Sequence, residues 1–467
     1  MVDAFDVVVI GSGAGGASVA AIAAERGRTV AVIEAGTAVR PASAEIALER
    51  HYLGGGYLAA VGEGLIPVLA GRALGGTTPI NSGTCFPPPP ELLAQWDLQF
   101  GTTWARDLPA HVSAVERAIH VNTPDAALLG PSHLLFAEGM RAMGYPDPVV
   151  LPRNSEGCDG GGMCCFGCPG GRKQSADVAW LPRARNSGAE IFSSTTATSI
   201  TVQPTGVRVG LSGSRNSPIL ARKLVLSGGA LGTPRLVREN RLGSHWHAAG
   251  RGLSIHPATK VVAAFSHPVH GDRGIPQGTG LRLPELPGVL FEGIFTPPEV
   301  LLPLLLSTGA DPAWWLDRHD HLASHGLMVR DHGRGSVRTV GGEPFLRYDL
   351  DPRDRRSLLE GARLIGRAFF RAGAVRVLMP LFGYPHGFRS EAELDAVDLA
   401  SIPASRVVAM GFHPLGTVGL GRLVDAELRL VGTDNVFVCD GSVLPEPLGV
   451  NPQVTIMSLG HWLGSRL

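Results

Sequence analysis

The stretch Asp6–Glu34 reads DVVVIGSGAGGASVAAIAAERGRTVAVIE, and the order of its textures decides the fold. A β-branched run, Asp6–Ile10, passes straight into glycines at 11, 13 and 16. An alanine-rich segment from Ala17 to Arg26 follows, and a second apolar run, Thr29–Ile33, ends in Glu34. This predicts strand, tight turn, helix and a second strand. Gly11 permits the turn, Gly13 lets backbone approach a pyrophosphate, and Gly16 lets the helix lie close on the strand. The free N–H groups of the helix N-terminus then face negative charge, and Glu34 is placed to accept hydrogen bonds from a ribose. The pattern predicts a dinucleotide-binding α/β domain. It does not separate NAD from FAD, because both offer the same adenosine ribose and pyrophosphate to the turn.

A chain of 467 residues suits two or three domains, or one large domain carrying an insertion. Its 41 basic side chains cancel its 41 acidic ones, so nothing argues for a nucleic-acid or membrane-surface partner acting through net charge, and a small or neutral partner is the default. Gly 62 and Pro 36 would suggest disorder in a polar chain, but 44% of the residues are hydrophobic, so these residues are assigned to turns and close approaches. The first apolar run, flanked by Asp3 and Asp6, is too short for a secretory signal, and the protein is expected to be cytoplasmic. The greasiest segment, Val300–Leu306, is broken by Pro303 and falls far short of the ~20 residues that span a bilayer. The sequence carries no G-x-S-x-G elbow, no H-E-x-x-H and no P-loop, which weighs against hydrolase, zinc-protease and nucleotide-triphosphatase chemistry.

Three further stretches follow, two of them with their own physical readings. In GRALGGTTPINSGT, Gly71–Thr84, the pair Gly75 and Gly76 opens a turn past which a planar ring can run close to backbone. VLSGGALGTPRLV, Val225–Val237, takes its reading, a strand and turn closing over the cofactor, from the resemblance given next. In NVFVCDGSVLPEPLGVNPQVTIMSLG, Asn435–Gly460, a short buried strand ends just before Asp440, and Pro452 suits the first turn of a helix. With Asp6–Glu34, these stretches resemble the glucose-methanol-choline (GMC) family of FAD-dependent oxidoreductases. The resemblance implies FAD as cofactor, with Asn81 in a second glycine-rich loop along the flavin. It also implies that Asp440 and Gly441 contact the flavin and that Asn451 and Pro452 begin the last helix. No histidine falls within Gly71–Thr84 to carry a covalent link, so the FAD is expected to be non-covalent. The expected fold is α/β, a Rossmann-like FAD-binding domain built from the discontinuous segments 1–85, 150–260 and 405–467. An α+β substrate domain on an antiparallel sheet occupies 86–149 and 261–404, with strand-like runs at Lys260–Phe265, Gly326–Asp331 and Phe345–Leu350 and a helix at Asp354–Arg371.

GFHPLGTVGLG, Gly411–Gly421, holds His413, one of sixteen histidines. A lone histidine in apolar company is ordinarily a core side chain; the resemblance makes this one the family's catalytic histidine and puts the second active-site position on Asn451. The implied reaction is oxidation of an alcohol to an aldehyde. His413 removes the hydroxyl proton as base, Asn451 donates its amide to the same oxygen, and the hydride passes to flavin N5. The implied partners are a small-molecule alcohol and dioxygen or another electron acceptor. His256, in LSIHPATK, is read as structural or cofactor-adjacent.

Four of six cysteines crowd into CDGGGMCCFGC at 158, 164, 165 and 168, with Cys85 and Cys439 elsewhere. The spacing is not a usual zinc pairing, and the stretch is read as a reduced or disulfide-capable structural loop, with no metal site; a zinc or iron–sulfur site is the alternative. This loop and LGGTTPINSGTCF are similar to a branch that includes long-chain alcohol oxidases and aminoglycoside-biosynthesis 6'-oxidases. The second implies a primary hydroxyl of a polar amino sugar as substrate, with Glu292 and Asp331 as carboxylates suited to ammonium groups. Alternatives are a long-chain or sterol-type alcohol oxidase, a hydroxynitrile-lyase-like flavoprotein without net redox change, and an electron-transfer subunit with an iron–sulfur cluster.

Overall fold

A computed structural model describes residues 3–295 and 297–467. Strand β1 (Asp3–Ile10), helix α1 (Ala14–Glu25) and strand β2 (Val30–Ile33) form the expected unit, the strands parallel from Val7↔Val30 to Ile10↔Ile33. The helix begins earlier than the alanine texture suggests, because Gly15 and Gly16 already lie in its first turn. The chain returns to this sheet with β3 (Glu190–Phe192), β4 (Thr195–Gln203), β5 (Gly206–Gly213) and β6 (Ile219–Leu226), giving the order β3-β2-β1-β6-β5-β4. The short strand Val436–Val438 pairs parallel to β6. Chemistry decides which strands go inside. Val7, Val8 and Val9 are fully buried, as a strand covered on both faces requires, whereas β4 alternates buried and exposed positions and pairs antiparallel toward solvent. Helix α2 (Gly229–Glu239) leaves the end of β6. The helix Gln453–Gly464 crosses α1 closely enough for Ser18 Oγ to donate to the Met457 carbonyl at 3.0 Å.

A second seven-stranded sheet is antiparallel. In chain order it includes β7 (Pro257–Ala264), β8 (Thr279–Leu281), β9 (Val289–Glu292) and, after helix α3 (Pro298–Thr308), strand β10 (Leu322–Val329), which lies at the centre between β7 and β9; helix α4 (Pro352–Arg371) follows. The expected strands at Lys260–Phe265 and Gly326–Asp331 are present with their starts shifted toward the N-terminus, and the expected helix begins at Pro352. There Asp351 caps the Arg353 N–H, and Leu358, Leu359, Ala362, Ile365 and Phe369 make the face buried against the sheet. Two registers position the site residues. Lys260, Gly326 and Glu292 lie in one row across β7, β10 and β9. The two-residue strand Met410–Gly411 pairs with β7 through Ala258↔Met410 and Pro257↔Gly411, which brings the HPLGT segment beside His256. Among the described residues no helix is long and apolar enough to cross a membrane.

Burial also sets an acid sensitivity. His133, His256 and His325 are at most 2% exposed, and desolvation lowers all three, His133 to about 4 and the other two well below their ordinary value. Between pH 6.5 and 4 the unfolded chain therefore binds protons that the folded chain refuses, so stability falls as pH falls through this window. For His133 alone the loss at pH 5 is about 2 kcal/mol. Glu292 and Asp331, whose carboxyls are raised by burial to about 8 and about 6, work the other way and offset part of it. Thermal unfolding is expected at a lower temperature at pH 5 than at pH 7, and an equal or higher midpoint at pH 5 would show that the buried histidines do not dominate the acid limb.

Candidate active site

One cavity of about 550 Å³ runs from the glycine turn after β1 to the HPLGT segment. Of the residues singled out from sequence, Gly11, Gly13, Glu34, Gly76, Asn81, His413, Asp440, Gly441, Asn451 and Pro452 all line it. Gly16 and Gly75 do not line it. Gly16 is buried behind the turn in the helix–strand contact, and Gly75 donates its N–H to Ser12 Oγ at 2.9 Å, tying the second glycine loop to the first.

The turn fits a dinucleotide. Gly13 caps α1 with no side chain over its N-terminal N–H groups, and a Cβ on Gly13 would meet nothing nearer than Gly76 Cα at 3.8 Å, so the space it would take is the cavity itself. Three carboxylates or amides expected at the cofactor are also fastened to protein. Glu34 accepts from Ser12 N at 2.9 Å, Ser12 Oγ at 2.7 Å and Gly36 N at 2.7 Å. With four lone-pair sites on a carboxylate, one acceptor position remains for a ribose hydroxyl. Asp440 receives Gly229 N at 2.8 Å, Thr233 Oγ1 at 2.5 Å and Ser442 N at 2.7 Å, and so clamps the start of α2 to the turn Gly441–Val443. Asn81 donates to Gln453 Oε1 at 2.5 Å and accepts from Gly83 N at 2.9 Å. Gln453, which sequence reasoning did not single out, thereby joins the second glycine loop to the last helix.

At the other end His413 follows directly from the pairing of Met410–Gly411 with β7. Its N–H donates to the Ile255 carbonyl at 3.2 Å, and its Nδ1 lies 3.1 Å from Nδ1 of His256. Burial pushes the His413 imidazole down to about 4, so the ring is neutral at pH 7. His256 is fully buried, accepts the Gly449 N–H on Nε2 at 3.0 Å, and sits at φ +47, a conformation non-glycine residues adopt only when the surroundings enforce it. Asp331 does the enforcing: its carboxylate accepts from Ile255 N at 3.0 Å, His256 N at 3.3 Å and Tyr348 Oη at 2.8 Å. The expectation that Asp331 meets a substrate ammonium is corrected here, because Asp331 is absent from the cavity wall and its oxygens are occupied by the backbone that carries His256.

Glu292 does face the cavity and is 5% exposed. Its Oε2 accepts from Gln277 Nε2 at 2.8 Å, while Gln277 Oε1 is held by Thr84 Oγ1 at 2.6 Å, which fixes the way the amide points. Oε1 of Glu292 has no hydrogen-bond partner, and neither has Oδ1 of Asn451, 8% exposed on the same cavity. Burial pushes the Glu292 carboxyl up to about 8, with the adjacent Asn451 amide and Arg282 pulling back. Lys260, in the same row of the sheet, is lowered by burial to about 8.

The cysteine stretch is not extended: Cys164–Phe166 form a single tight turn. Cys164 Sγ accepts from Arg153 Nη2 at 3.2 Å, and Cys165 Sγ lies 3.4 Å from Ser82 Oγ. Lys173 Nζ donates to the carbonyls of Asn81 at 2.8 Å and Cys164 at 2.7 Å, so the stretch is bolted to the second glycine loop. All six cysteines are unpaired, and among the described residues no three His, Cys, Asp or Glu side chains gather as a metal site.

Comparison with known proteins accords with this geometry. Residues 6–46 match the FAD binding domain family, 48–258 the N-terminal GMC oxidoreductase family and 331–460 its C-terminal counterpart. An uncharacterized GMC-type oxidoreductase of Mycobacterium tuberculosis is 36% identical over 470 residues, covering 97% of this chain and 74% of its own. A long-chain-alcohol oxidase of Arabidopsis thaliana is 27% identical over 516 residues, covering 99% of this chain and 67% of its own. The crystal structure of pyridoxine 4-oxidase from Mesorbium loti superposes with a TM-score of 0.73 at 20% identity, covering 99% and 98% of the two chains, a likeness of fold.

Proposed function

The chain belongs to the GMC oxidoreductase family and is an FAD-dependent oxidoreductase, and from that premise we propose that it oxidises a primary hydroxyl of a polar, amine-bearing small molecule of the amino-sugar class to an aldehyde. The observation that carries the reading is the convergence of His413, Asn451 and Glu292 on the cavity that also contains the glycine turn. Gly11, Gly13, Gly76 and Glu34 would hold the dinucleotide. Bound FAD supplies the two-electron acceptor. His413 and Asn451 bracket the alcohol oxygen and orient the carbinol carbon. The sequence reading makes His413 the acceptor of the hydroxyl proton; its ring, held at Nδ1 by His256, is also suited to donate to that oxygen from Nε2. The polar row of Lys260 and Glu292, with Gln277 beside it, favours a substrate rich in hydrogen-bonding groups.

A second reading, a long aliphatic alcohol, has its own support: Val300 and Leu304 of α3 and Phe295 also line the cavity, and the Arabidopsis relative is a long-chain-alcohol oxidase. Anaerobic mixing with paromamine, a simple sugar, a long-chain alcohol and a sterol separates the readings through the visible absorbance of the oxidised flavin. Bleaching by the amino sugar is expected. Bleaching only by the aliphatic alcohol transfers the assignment to the second reading, and an FAD-loaded protein bleached by no alcohol defeats both. Admitting air afterwards shows whether dioxygen is the electron acceptor.

A further inference from the structure

We propose that Cys164 is a modification site beside the second glycine loop, a nucleophilic thiol that a hydroperoxide oxidises to a sulfenic acid, loosening the hold of that loop on the cofactor. The inference stands apart from the choice of alcohol.

Two cations are buried at this point of the fold with little to balance them. Arg153 is 2% exposed and Lys173 is 5% exposed. Arg153 Nη1 donates to the Gln277 carbonyl at 2.9 Å, and Nη2 donates to the Ser82 carbonyl and to Cys164 Sγ, the latter at 3.2 Å. Lys173 Nζ donates to the carbonyls of Asn81 and Cys164. The hydrogen bonds of both cations thus go to neutral oxygens and one sulfur. Asp177 acts on Lys173 only from beyond ion-pair distance, with its carboxyl bonded to Ser175 Oγ at 2.5 Å. A buried cation without an anion is costly, and the groups that favour the charged form of Lys173 are the sulfurs of Cys164, Cys165 and Cys168. Cys164 is the one of these three that also takes a guanidinium N–H, and it is half-buried. A partly exposed sulfur among cations is held in its anionic, nucleophilic form.

The other cysteines lack this setting. Desolvation pushes the Cys85 thiol up to about 12 and raises those of Cys165 and Cys439, which keeps all three protonated and inert. Cys168 Sγ accepts a backbone N–H, from Arg172 at 3.3 Å, and no side-chain cation. The surroundings of Cys164 also hold polar groups with nothing to bond. Arg153 Nε has no acceptor, and Oδ1 of Asn154, a residue with no exposed surface, has no donor. A Cβ on Gly83 would meet Asn154 Oδ1 at 2.9 Å, Arg153 Nη2 at 3.4 Å and Lys173 Cδ at 3.4 Å, so these groups form one cluster against the second glycine loop. An oxygen added to the Cys164 sulfur brings that cluster both an acceptor and an O–H donor. The step balances. The sulfur attacks one oxygen of the hydroperoxide, an S–O bond forms and the O–O bond breaks. Sulfur is oxidised by two electrons, and the departing oxygen takes a proton from solvent to leave as water or an alcohol. The neutral product no longer balances Arg153 and Lys173. Lys173 Nζ ties the Cys164 carbonyl to that of Asn81, and Asn81 donates to Gln453 of the last helix, so the change reaches the cofactor side of the cavity.

The test treats the FAD-loaded protein with hydrogen peroxide at pH 7, without any alcohol, in the presence of dimedone, and maps the adducts by mass spectrometry. The sulfenic-acid adduct is expected on Cys164 at about ten-fold or more over each other cysteine, and it is expected to vanish in Cys164→Ser. Arg153→Met is expected to lose most of the preference. After peroxide alone, FAD is expected to leave the wild-type protein at least several-fold faster, and to leave Cys164→Ser at its untreated rate. Adducts on none of the cysteines, or mainly on one other than Cys164, overturn the assignment, and so does zinc or iron retained at one equivalent per chain, because the sulfurs would then be ligands. Should Arg153→Met not fold, the maps of the wild type and of Cys164→Ser decide alone. A Cys164 adduct that leaves FAD release unchanged overturns the coupling to the second glycine loop. No alcohol enters the assay, so its outcome is independent of whether the alcohol-oxidation reading holds.

Discussion

His413→Ala is expected to yield a yellow, folded protein whose turnover is lower by about 100- to 1,000-fold, the range seen when one donor to a developing oxyanion is removed. The fold tolerates the change because the ring is half-buried at the cavity wall, and its one side-chain bond is to His256. The substitution leaves the backbone bond from His413 N to the Ile255 carbonyl, which positions the segment, in place. It does remove the acceptor for His256 Nδ1, so a buried donor loses its partner, a penalty of about 1–3 kcal/mol in stability that is small beside the catalytic loss. The two effects separate in measurement. The flavin-to-protein absorbance ratio reports the cofactor site, the thermal midpoint reports the orphaned His256, and the anaerobic reduction rate reports chemistry. Turnover within ten-fold of wild type would remove His413 from the reaction, whichever direction its proton moves.

How much of this site was legible in the sequence depended on whether the determining contacts are local. The glycine turn, the acid at the end of β2 and the HPLGT segment were readable as candidates because each pattern is built from residues within a few positions of one another. Glu292 and Asp331 looked alike in sequence, both acids near strands of the second sheet. What divides them is pairing across the sheet: the row Lys260–Gly326–Glu292 faces the cavity, while Asp331 falls just past the end of β10, where the backbone of Ile255 and His256 reaches it. His256 read only as structural or cofactor-adjacent. Its role follows from the register Pro257↔Gly411, which joins segments more than 150 positions apart and which no local pattern encodes. The contacts of the cysteine stretch were illegible for the same reason. Its partners, Arg153, Ser82 and Lys173, come from other parts of the chain, and the tight turn at Cys164–Phe166 is held by those contacts rather than by the spacing of the thiols.

Gly11→Ala and Gly13→Ala are expected to fail in different ways, although the two glycines are neighbours in one motif. Gly11 sits at φ +102, and a Cβ there would lie 2.1 Å from the Ser227 carbonyl oxygen and 2.6 Å from its carbon. Those are backbone atoms of the residue after β6, whose N–H is bonded to the Ile10 carbonyl at 2.7 Å, so relief requires β1 and β6 to part at the edge that forms the cavity floor. Backbone strain of about 1–3 kcal/mol and overpacking of about 1–3 kcal/mol fall on the same site. Against a total stability of about 5–15 kcal/mol that is a large fraction, and Gly11→Ala is expected to be poorly soluble or to melt about 2–6 degrees lower. A Cβ on Gly13 meets no protein atom closer than 3.8 Å and takes up cavity space alone. Gly13→Ala is therefore expected to fold with a melting temperature near that of the wild-type apoprotein and to lose most of its FAD, because the added methyl stands where the pyrophosphate must approach the N-terminus of α1. Flavin absorbance and thermal unfolding of the two purified variants distinguish the cases. A stable, fully yellow Gly13→Ala would show that the cofactor does not come close to this turn, and a stable Gly11→Ala would show that the junction of β1 with β6 is looser than its hydrogen bonds indicate.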